Sequence, residues 1–228
     1  MPKTVMAFTI LFALATAEAY ANLIANGSFE NPNGTFVGDV NSVDELNSGS
    51  SAIPGWTTIN GVPTAWIENG NPYGISAANG SFFLDLTGYS DVGTYGGVTQ
   101  SFASVAGTSY SATFDLGYGG NSGVFGGPVS VRATAAGVSS TFTSGAGTPN
   151  PAVWDLETFN FTATSSLTVL SFVGVSTAGG EYIGLDNVDV EVATSGSVPE
   201  PGTDGLLLAG IVLLGYAGRK YARGAKDY

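Results

Sequence analysis

The sequence predicts an all-β fold in which two antiparallel sheets pack face to face as a β-sandwich. Glycine accounts for 34 of the 228 residues, whereas Lys and Arg together account for only six. Short runs alternate apolar with small polar residues, which is the period of half-buried strands. Outside the two ends, no stretch has a convincing helical period. Together these observations favour strands joined by tight turns.

Eight runs have this strand pattern, and Gly, Asn and Pro residues separate them. In the third run, residues 109–116, one face is apolar and the other has Ser111, Thr113 and Asp115. Eight or more strands in about 170 residues are typical of two packed antiparallel sheets. The predicted strands are 81–87, 97–102, 109–116, 128–133, 139–143, 154–162, 166–173 and 182–192.

The charge of the chain is strongly negative and unevenly distributed. The formal net charge is −12, and Arg132 is the only cation between Asn22 and Val198. Such a body repels phosphate backbones, so the sequence argues against nucleic acid as a partner. The chain has no Cys and no His. That composition excludes Cys nucleophiles, Ser-His triads, thiolate or imidazole zinc sites and His-based acid–base catalysis.

The first 21 residues have the pattern of a secretory signal peptide. Lys3 precedes an apolar run over residues 5–17, and small residues flank Tyr20 just before Asn22. A short positive region, an apolar core and a small-x-small cleavage site are what signal peptidase requires. We therefore expect the Sec translocon and signal peptidase as partners, with cleavage between Ala21 and Asn22.

The C-terminal region has the pattern of a short membrane helix. The run Gly205–Gly218 is uncharged, and as an α-helix its 14 residues would span only about 21 Å, whereas a hydrocarbon core is about 30 Å thick. A basic tail follows over residues 219–228 and holds that end in the cytoplasm by the positive-inside rule. Residues 194–198 have the composition of a linker between the body and this segment.

The order of these C-terminal features is similar to the PEP-CTERM sorting signal of Gram-negative bacteria. Pro199, Glu200 and Pro201 stand just before the apolar run and the basic tail. The resemblance covers residues 199–228 and implies recognition by an exosortase-like membrane protease. That protease would cut near the Pro-Glu-Pro and pass the body to the cell surface or the extracellular matrix. A simple tail anchor is the alternative.

The body, residues 22–193, resembles a second group of proteins. The segments 22–32, 53–56 and 184–190 look like those of galactose-binding-like jelly rolls, which occur in carbohydrate-binding modules and in plant cell-wall proteins of unknown function. Residues 96–117 are similar to the choice-of-anchor domains that bacteria join to sorting tails. The resemblance implies a jelly-roll (galactose-binding-like) β-sandwich between an N-terminal signal peptide and a C-terminal single short transmembrane helix.

The jelly-roll resemblance also implies a structural Ca²⁺ between the first and last strands, with Glu30 and Asp186 as its carboxylate ligands. The pattern of the last strand gives independent support, because Asp186 has the parity of the three valines that follow it, and a buried carboxylate needs compensation. Ile183 and Leu185 have the opposite parity, which predicts a β-bulge near Asp186 and Asn187. With the bulge, Asp186 is instead a solvated or backbone-capped carboxylate.

Aromatic residues in Gly-rich segments are the candidate ligand contacts, because a ring face can stack on a pyranose. We expect extracellular polysaccharide to contact Trp66, Tyr73 and Tyr118. Tyr89 and Tyr95 lie in similar segments. Trp56 follows Ile-Pro-Gly, a pattern associated with packing, so the core is its expected place.

Two further carboxylates, Asp85 and Asp115, lie on the polar faces of predicted strands. A glycosidase would need such a pair roughly 5–9.5 Å apart, and solvated positions on a sheet face explain both residues equally well. We therefore expect an exported, non-enzymatic surface or matrix protein, anchored transiently in the inner membrane with its body outside. A lectin-like carbohydrate-binding module is the first alternative, and a glycoside hydrolase is the second.

Overall fold

A computed structural model describes residues 22–31, 33–89, 95–121, 125–175 and 182–193. The chain divides into two units, Met1–Ala193 and Thr194–Tyr228, and the described residues all belong to the first. Within the described ranges there is no helix of membrane-spanning length and hydropathy. The predicted signal peptide, the Pro-Glu-Pro motif at 199–201 and the predicted helix at 205–218 lie outside the described residues.

The described residues form eleven strands and confirm the all-β prediction. All eight predicted runs are strands, and three short strands precede them. The strands are β1 Val43–Leu46, β2 Thr57–Ile59, β3 Thr64–Glu68, β4 Phe82–Asp85, β5 Gly97–Ala103, β6 Ser109–Tyr118, β7 Ser130–Ala135, β8 Val138–Thr143, β9 Val153–Thr162, β10 Leu167–Gly174 and β11 Gly184–Val192.

The order of the strands is that of a jelly roll. The six-stranded sheet has the order β1-β3-β4-β11-β6-β9, and the five-stranded sheet has the order β2-β5-β10-β7-β8. From β4 onward, each connection crosses from one sheet to the other, except for the β7–β8 hairpin. Eight strands wound in this way form the two interlocked Greek keys of a jelly roll, so the predicted fold class is confirmed.

The core between the sheets is rich in aromatic rings. Phe114 of β6 contacts Phe172 of β10 across the sandwich, with ring centroids 4.8 Å apart. Tyr110 of β6 stacks on Phe161 of the neighbouring β9 at 5.8 Å. These side chains belong to the alternate residues of each strand that point between the sheets. The period of two in the sequence therefore corresponds to the two faces of each sheet.

A second apolar cluster, the outer cluster, covers the face of the six-stranded sheet that points away from the other sheet. Strand β3 contributes to both clusters, because Trp66 packs between the sheets while Ala65 and Ile67 pack on the outer face. A strand buried on both faces shows no alternation of polar and apolar residues, and this explains why the sequence pattern missed β3. The outer cluster consists of Val43, Ala65, Ile67, Ile75, Phe83 and Tyr182.

The segment 22–30 precedes the strands and is attached to β11 by backbone hydrogen bonds. The Leu23 N–H donates to the Val190 carbonyl, and the Val188 N–H donates to the Gly27 carbonyl, both at 2.9 Å. The side-chain amide of Asn22 donates to the Val188 carbonyl at 3.1 Å. The first residues of the described chain are therefore held to its last strand.

Two buried tryptophans hold the turn within this segment. The Trp56 indole N–H donates to the Asn26 carbonyl at 2.9 Å, and the Trp66 indole N–H donates to the Phe29 carbonyl at 2.8 Å. Asn26 closes the turn because its Oδ1 accepts the Glu30 N–H at 2.8 Å. Trp56 is buried in the core, as predicted. Its indole gives the Asn26 carbonyl a second hydrogen bond, in addition to the one from the Phe29 N–H at 3.1 Å, while the Trp66 indole is the partner of the Phe29 carbonyl.

Gly27→Ala should severely destabilise the fold. An added Cβ at Gly27 would lie 1.8 Å from the Val188 carbonyl oxygen, and backbone atoms on both sides would have to move apart. We expect a loss of at least about 3 kcal/mol in the free energy of unfolding, measured by urea denaturation followed by tryptophan fluorescence. Ser28→Ala, one residue away, is the control and should change stability by less than about 1 kcal/mol. Equal stability of the two variants would contradict the attachment to β11.

Candidate functional site

The two sheets differ sharply in charge. In the part of the chain that the structure describes, all ten carboxylates found in strands belong to the six-stranded sheet, and the only charged residue in the five-stranded sheet is Arg132 of β7. A ligand that approaches the outer face of the six-stranded sheet therefore meets a negative potential. The ten carboxylates are Asp44, Glu45, Glu68, Asp85, Asp115, Asp155, Glu157, Asp186, Asp189 and Glu191.

The outer cluster surrounds a small cavity, which we call the sheet-face pocket. Its volume is about 60 Å³. Strands β1, β3 and β4 supply the floor. Residues of the loops that follow β3 and β4, together with Phe125 and Tyr182, supply the walls and the mouth. The lining residues are Val43, Ala65, Ile67, Tyr73, Ile75, Asp85, Gly88, Tyr89, Phe125 and Tyr182.

Asp85 is the carboxylate of the sheet-face pocket, and it is buried at the end of β4. Its Oδ1 accepts the Thr87 N–H at 2.9 Å and the Thr87 hydroxyl at 2.8 Å. The same oxygen accepts the Ile183 N–H at 3.1 Å. Asp85 thus joins the end of β4 to the start of β11, and these bonds fix the position of a negative charge beside the pocket.

Tyr182 lies against the sheet beside Asp85. An added Cβ at Gly184 would lie 2.3 Å from the Tyr182 hydroxyl, so the absence of a side chain at Gly184 leaves room for the phenol. Gly184 is the cross-strand partner of Asp85. The Tyr182 side chain is only 1 % exposed, and its hydroxyl has no hydrogen-bond partner among the residues that the structure describes. Burial, with added repulsion from Asp85 and Asp186, raises the pKa of Tyr182 well above its usual value, so the phenol is neutral.

Two more tyrosines line the sheet-face pocket. Tyr73 is half-buried and meets Phe125 edge-on, with centroids 5.8 Å apart. Tyr89 is 45 % exposed, and its hydroxyl donates a hydrogen bond to Asp39 Oδ2. This hydrogen bond is the main cause that lowers the pKa of Asp39, while burial first and then the Asp39 bond raise the pKa of Tyr89. The Tyr89 ring is therefore held in place near the mouth.

Of the three predicted ligand contacts, only Tyr73 lines this pocket. Trp66 is 0 % exposed and Tyr118 is 7 % exposed, so neither ring has a face free for a sugar, and the prediction for these two residues is corrected. Both lie in Gly-rich segments of the sequence, but both are packed in the core between the sheets. Phe125 and Tyr182 also line the pocket, although no pattern in the sequence pointed to them.

The two predicted calcium ligands do approach the same loop. Glu30 Oε1 accepts the N–H groups of Ser81 and Phe82 at 2.8 and 3.0 Å. Asp186 Oδ2 accepts the Asn79 N–H at 2.9 Å, and its Oδ1 accepts the N–H of Asn187 at 2.7 Å. The resemblance therefore located a real structural junction, in which residues 79–82 join the first segment to β11.

The donor set at this junction does not fit a calcium ion well. N–H groups point at the carboxylate oxygens that would have to ligate the metal, and Ca²⁺ takes six to eight oxygen ligands. Among the described residues, no three acidic side chains come together in a way that could hold a metal. The calcium site remains a prediction, and hydrogen bonds from the backbone do the joining that an ion was expected to do.

The predicted bulge explains the position of Asp186. The register between β11 and β6 shifts between Asp186 and Asp189, and Asn187 has a positive φ of 51°. Asp186 is paired with Asp115 and lies with it on the outer face, covered by the loop around Asn79. The Asn187 side chain donates to Asp115 Oδ2 at 2.9 Å. Asp186 is thus a buried, backbone-capped carboxylate.

Asp85 and Asp115 are poorly placed for a glycosidase pair. Strand β11 lies between their strands, β4 and β6, and their cross-strand partners on β11 are Gly184 and Asp186. Two strand spacings and a two-residue offset separate their Cα atoms by about 12 Å. Hydrogen bonds also tie Asp115 to Asn187 of β11 and Asp85 to Ile183, the residue before β11, so the structure gives this pair no support as catalytic residues.

Comparison with known families gives two matches. Residues 22–188 match the model of "Protein of unknown function (DUF642)". Residues 197–223 match the "PEP-CTERM protein-sorting motif", so the resemblance of the C-terminal region is confirmed. Among curated proteins, the chain is similar to halomucin of Haloquadratum walsbyi, with 29 % identity over 187 residues. The match covers 79 % of this chain but only 2 % of halomucin.

Several solved structures are similar at low sequence identity. The CBM22-1 xylan-binding domain of Paenibacillus barcinonensis Xyn10C is 15 % identical, with a TM-score of 0.41 over 70 % of this chain and 97 % of that one. A family 35 carbohydrate-binding module of Clostridium thermocellum is 17 % identical, with a TM-score of 0.35 over 66 % and 99 %. The EclA C-terminal domain, a sugar-binding protein, is 21 % identical, with a TM-score of 0.33 over 41 % and 64 %.

Asp186 should make stability depend on pH. Burial raises the pKa of Asp186 to about 7, against the opposing effect of its backbone hydrogen bonds. This pKa lies above the pKa of the same aspartate in the unfolded chain, so the folded state binds the proton more tightly. The resulting stabilisation of the fold is complete below about pH 4 and is lost as the pH rises through about 7. Asp186→Asn should remove this pH-dependent loss, which is on the order of 4 kcal/mol between pH 4 and 8. It should also lower stability by the same amount at every pH, because the NH₂ of the new side chain would face a backbone N–H.

Urea denaturation at a series of pH values measures this effect. Glu191→Gln, at an exposed carboxylate of the same strand, is the matched control and should keep the pH dependence of the wild type. Parallel stability curves for the wild type and Asp186→Asn would show that Asp186 does not bind its proton more tightly in the folded state.

Proposed function

The chain belongs to the DUF642 family and has a PEP-CTERM sorting motif, and we propose that it is an exported, non-enzymatic component of the cell surface or extracellular matrix. The observation that carries this proposal is the position of the motif, residues 197–223, directly after a body that ends at Ala193. A sorting signal joined to a single jelly roll is the arrangement of a protein whose body is the cargo. The motif itself implies export with a C-terminal membrane anchor before processing.

The chemistry of the C-terminal sequence supports processing on the outer side of the membrane. Pro199 and Pro201 favour an extended backbone and have no N–H to donate, so the chain around Glu200 is a suitable protease substrate. Arg219 and Lys220 follow the apolar run and retain that end in the cytoplasm. In this proposal an exosortase-like protease acts near Glu200 and releases the body from its anchor.

The composition supports a binding or structural role for the body rather than catalysis. With no His and no Cys in the chain, a hydrolase would depend on carboxylates, and Asp85 and Asp115 are held by the hydrogen bonds described above. Arg132 is the only cation of the body and lies on the other sheet, so it cannot stabilise a developing anion near Asp85.

A second candidate function is carbohydrate binding at the sheet-face pocket. Tyr89 presents a partly exposed ring at the mouth, Tyr73 lines the wall, and the buried carboxylate of Asp85 is a hydrogen-bond acceptor for hydroxyl groups. Aromatic faces with a few fixed polar groups are typical of sugar-binding sites. Asp39 and Glu45 near the mouth favour neutral over anionic polysaccharides. In this proposal the protein joins the matrix by binding its glycans.

Replacing the processing motif tests the first function. In a host with the sorting protease, the triple variant Pro199→Ala, Glu200→Ala and Pro201→Ala should retain its C terminus, because the protease loses its substrate. Intact-mass spectrometry of the protein purified from the envelope should find a wild-type product that ends near residues 199–201. Ser195→Ala, in the adjacent linker, should be processed like the wild type. A wild-type product that still ends at Tyr228 would favour the simple tail anchor.

Removing the tyrosine rings tests the second function. Tyr89→Ala and Tyr73→Ala should each weaken binding to neutral matrix polysaccharide by about tenfold, the loss of one stacking contact. Affinity electrophoresis in gels containing the host's purified polysaccharide measures the effect. Leu156→Ala, at an exposed apolar residue of β9, is the control and should bind like the wild type. Unchanged mobility of both tyrosine variants would contradict binding at this pocket.

A further inference from the structure

One end of the sandwich has no charged residue in its turns, and we call it the tether end because the described chain leaves the body there. Three turns form it: residues 104–108 between β5 and β6, residues 136–137 between β7 and β8, and residues 163–166 between β9 and β10. They contain only Ser, Thr, Ala, Gly and Val. Ala193, the last described residue, lies at the same end, because its N–H donates to the Ser109 carbonyl at 2.9 Å.

Three large apolar side chains are exposed at the tether end. Val105 is 65 % exposed in the first turn, Leu167 is 58 % exposed at the start of β10, and Val169 is 52 % exposed two residues further on. Leu167 and Val169 lie on the same outer face of the five-stranded sheet. The Ser104 N–H donates to the Ser166 carbonyl at 3.0 Å, which brings the turn with Val105 next to Leu167. Grouped apolar side chains of this kind mark an interaction surface.

The backbone of the first turn is already hydrogen-bonded within the protein. The Val105 N–H donates to the Tyr110 hydroxyl at 2.9 Å, and the Gly107 N–H donates to the Ala163 carbonyl at 2.8 Å. The Thr108 N–H donates to the Val105 carbonyl at 3.0 Å. A turn resists transfer out of water mainly through its unpaired N–H and C=O groups. These internal bonds therefore lower the cost of bringing Val105 into an apolar medium.

The C-terminal sequence keeps the tether end close to a bilayer while the anchor is in place. Residues 194–204 separate Ala193 from the apolar run that begins at Gly205, and a chain of that length reaches at most about 40 Å. A short tether turns a weak surface contact into an intramolecular one. A few exposed apolar side chains, too few to hold a free protein on lipid, are then sufficient.

The charge distribution favours the same orientation. Anionic lipids repel the outer face of the six-stranded sheet but not the five-stranded sheet, whose strands have no acidic residue in the part of the chain that the structure describes. Glu191 is the carboxylate closest to the end of β11. It lies on the outer face of the six-stranded sheet, on the side of the sandwich opposite to Leu167 and Val169. The apolar side chains can thus meet lipid without bringing a carboxylate with them.

We propose that the tether end docks on the surface of the lipid bilayer while the protein is anchored, with Val105, Leu167 and Val169 inserted among the lipid headgroups. This inference rests on the proposed export and membrane anchoring, and it goes beyond them because it states which surface of the body contacts the membrane. Docking points the sheet-face pocket away from the bilayer, since Tyr89 of its mouth lies in the connection from β4 to β5, at the opposite end. Removal of the anchor ends the docking, so processing frees the body.

Single-cysteine variants test this docking, because the chain has no Cys of its own. The exported protein is purified with its C terminus intact from a host without a sorting protease. It is labelled with the dye NBD and reconstituted in vesicles of phosphatidylcholine and phosphatidylglycerol. Nitroxide-labelled lipid in the vesicles should lower the emission of NBD at Val105→Cys by about twofold or more.

A second valine is the matched control for the probe. Val40 is 99 % exposed and follows Asp39, whose carboxylate accepts the Tyr89 hydroxyl at the opposite end of the sandwich. NBD at Val40→Cys should therefore keep its emission in the same vesicles.

Substitution of the other two apolar side chains tests the surface itself. Leu167→Ser with Val169→Ser should at least halve the quenching of NBD at residue 105, because two of the three inserted side chains are lost. Leu156→Ser, at a 67 % exposed residue of β9, should leave the quenching unchanged. All three positions are exposed, and thermal unfolding checks that these variants remain folded.

Flotation of the vesicles separates this inference from the proposed function. If the protein does not float with the vesicles, the membrane anchoring itself is contradicted. If it floats but NBD is quenched no more at residue 105 than at residue 40, only the docking is overturned, and the body is freely tethered. A change at residue 105 that requires a high ratio of protein to lipid would indicate a contact between copies and would equally overturn the docking.

Discussion

The hydrogen bonds that tie the segment 22–30 to β11 are the constraint on which the rest of the structure depends. They place Gly27 against Val188 so closely that no side chain fits between them. Backbone carbonyls of the same segment accept hydrogen bonds from two indole N–H groups. Trp56 lies in the turn before β2, and Trp66 lies in β3. Glu30, the last residue of the segment, also accepts a hydrogen bond from the N–H of Phe82, the first residue of β4. One short segment therefore positions strands of both sheets.

This arrangement gives the sandwich two dissimilar outer surfaces. The strand carboxylates all belong to the six-stranded sheet. Those that are buried on its outer face need hydrogen-bond donors, and the apolar residues of the same face need to be covered. Loops do both, and their N–H groups cap Asp186 and Asp85. The loops that donate these hydrogen bonds also supply walls of the sheet-face pocket. The same loops therefore both satisfy the buried carboxylates and form the pocket.

The sequence pattern predicts the eight strands β4–β11, and it misses the three short strands that precede them. Strands β4–β11 have detectable runs, and the parity conflict around Leu185 and Asp186 predicts the bulge that the register shift confirms. Strand β3 has no alternation because the outer cluster covers its second face. For the same reason Trp66 looked like a loop aromatic although its ring is in the core. Tyr182 and Phe125 come together only through the strand order, which no local pattern contains.

The glycines of β6 and β11 explain how a sheet face becomes a pocket. Gly184 pairs with Gly117, and Gly117 pairs with Trp154 of β9. An added Cβ at Gly117 would lie 2.6 Å from the Trp154 ring, so Trp154 lies flat on one glycine as Tyr182 lies over the other. The Tyr182 ring forms a wall of the pocket beside β4, and the Trp154 ring packs against Tyr182 with centroids 6.2 Å apart. A pocket with a floor of paired strands is more rigid than one made of loops alone, and such rigidity favours recognition of a single small group over an adaptable fit to many.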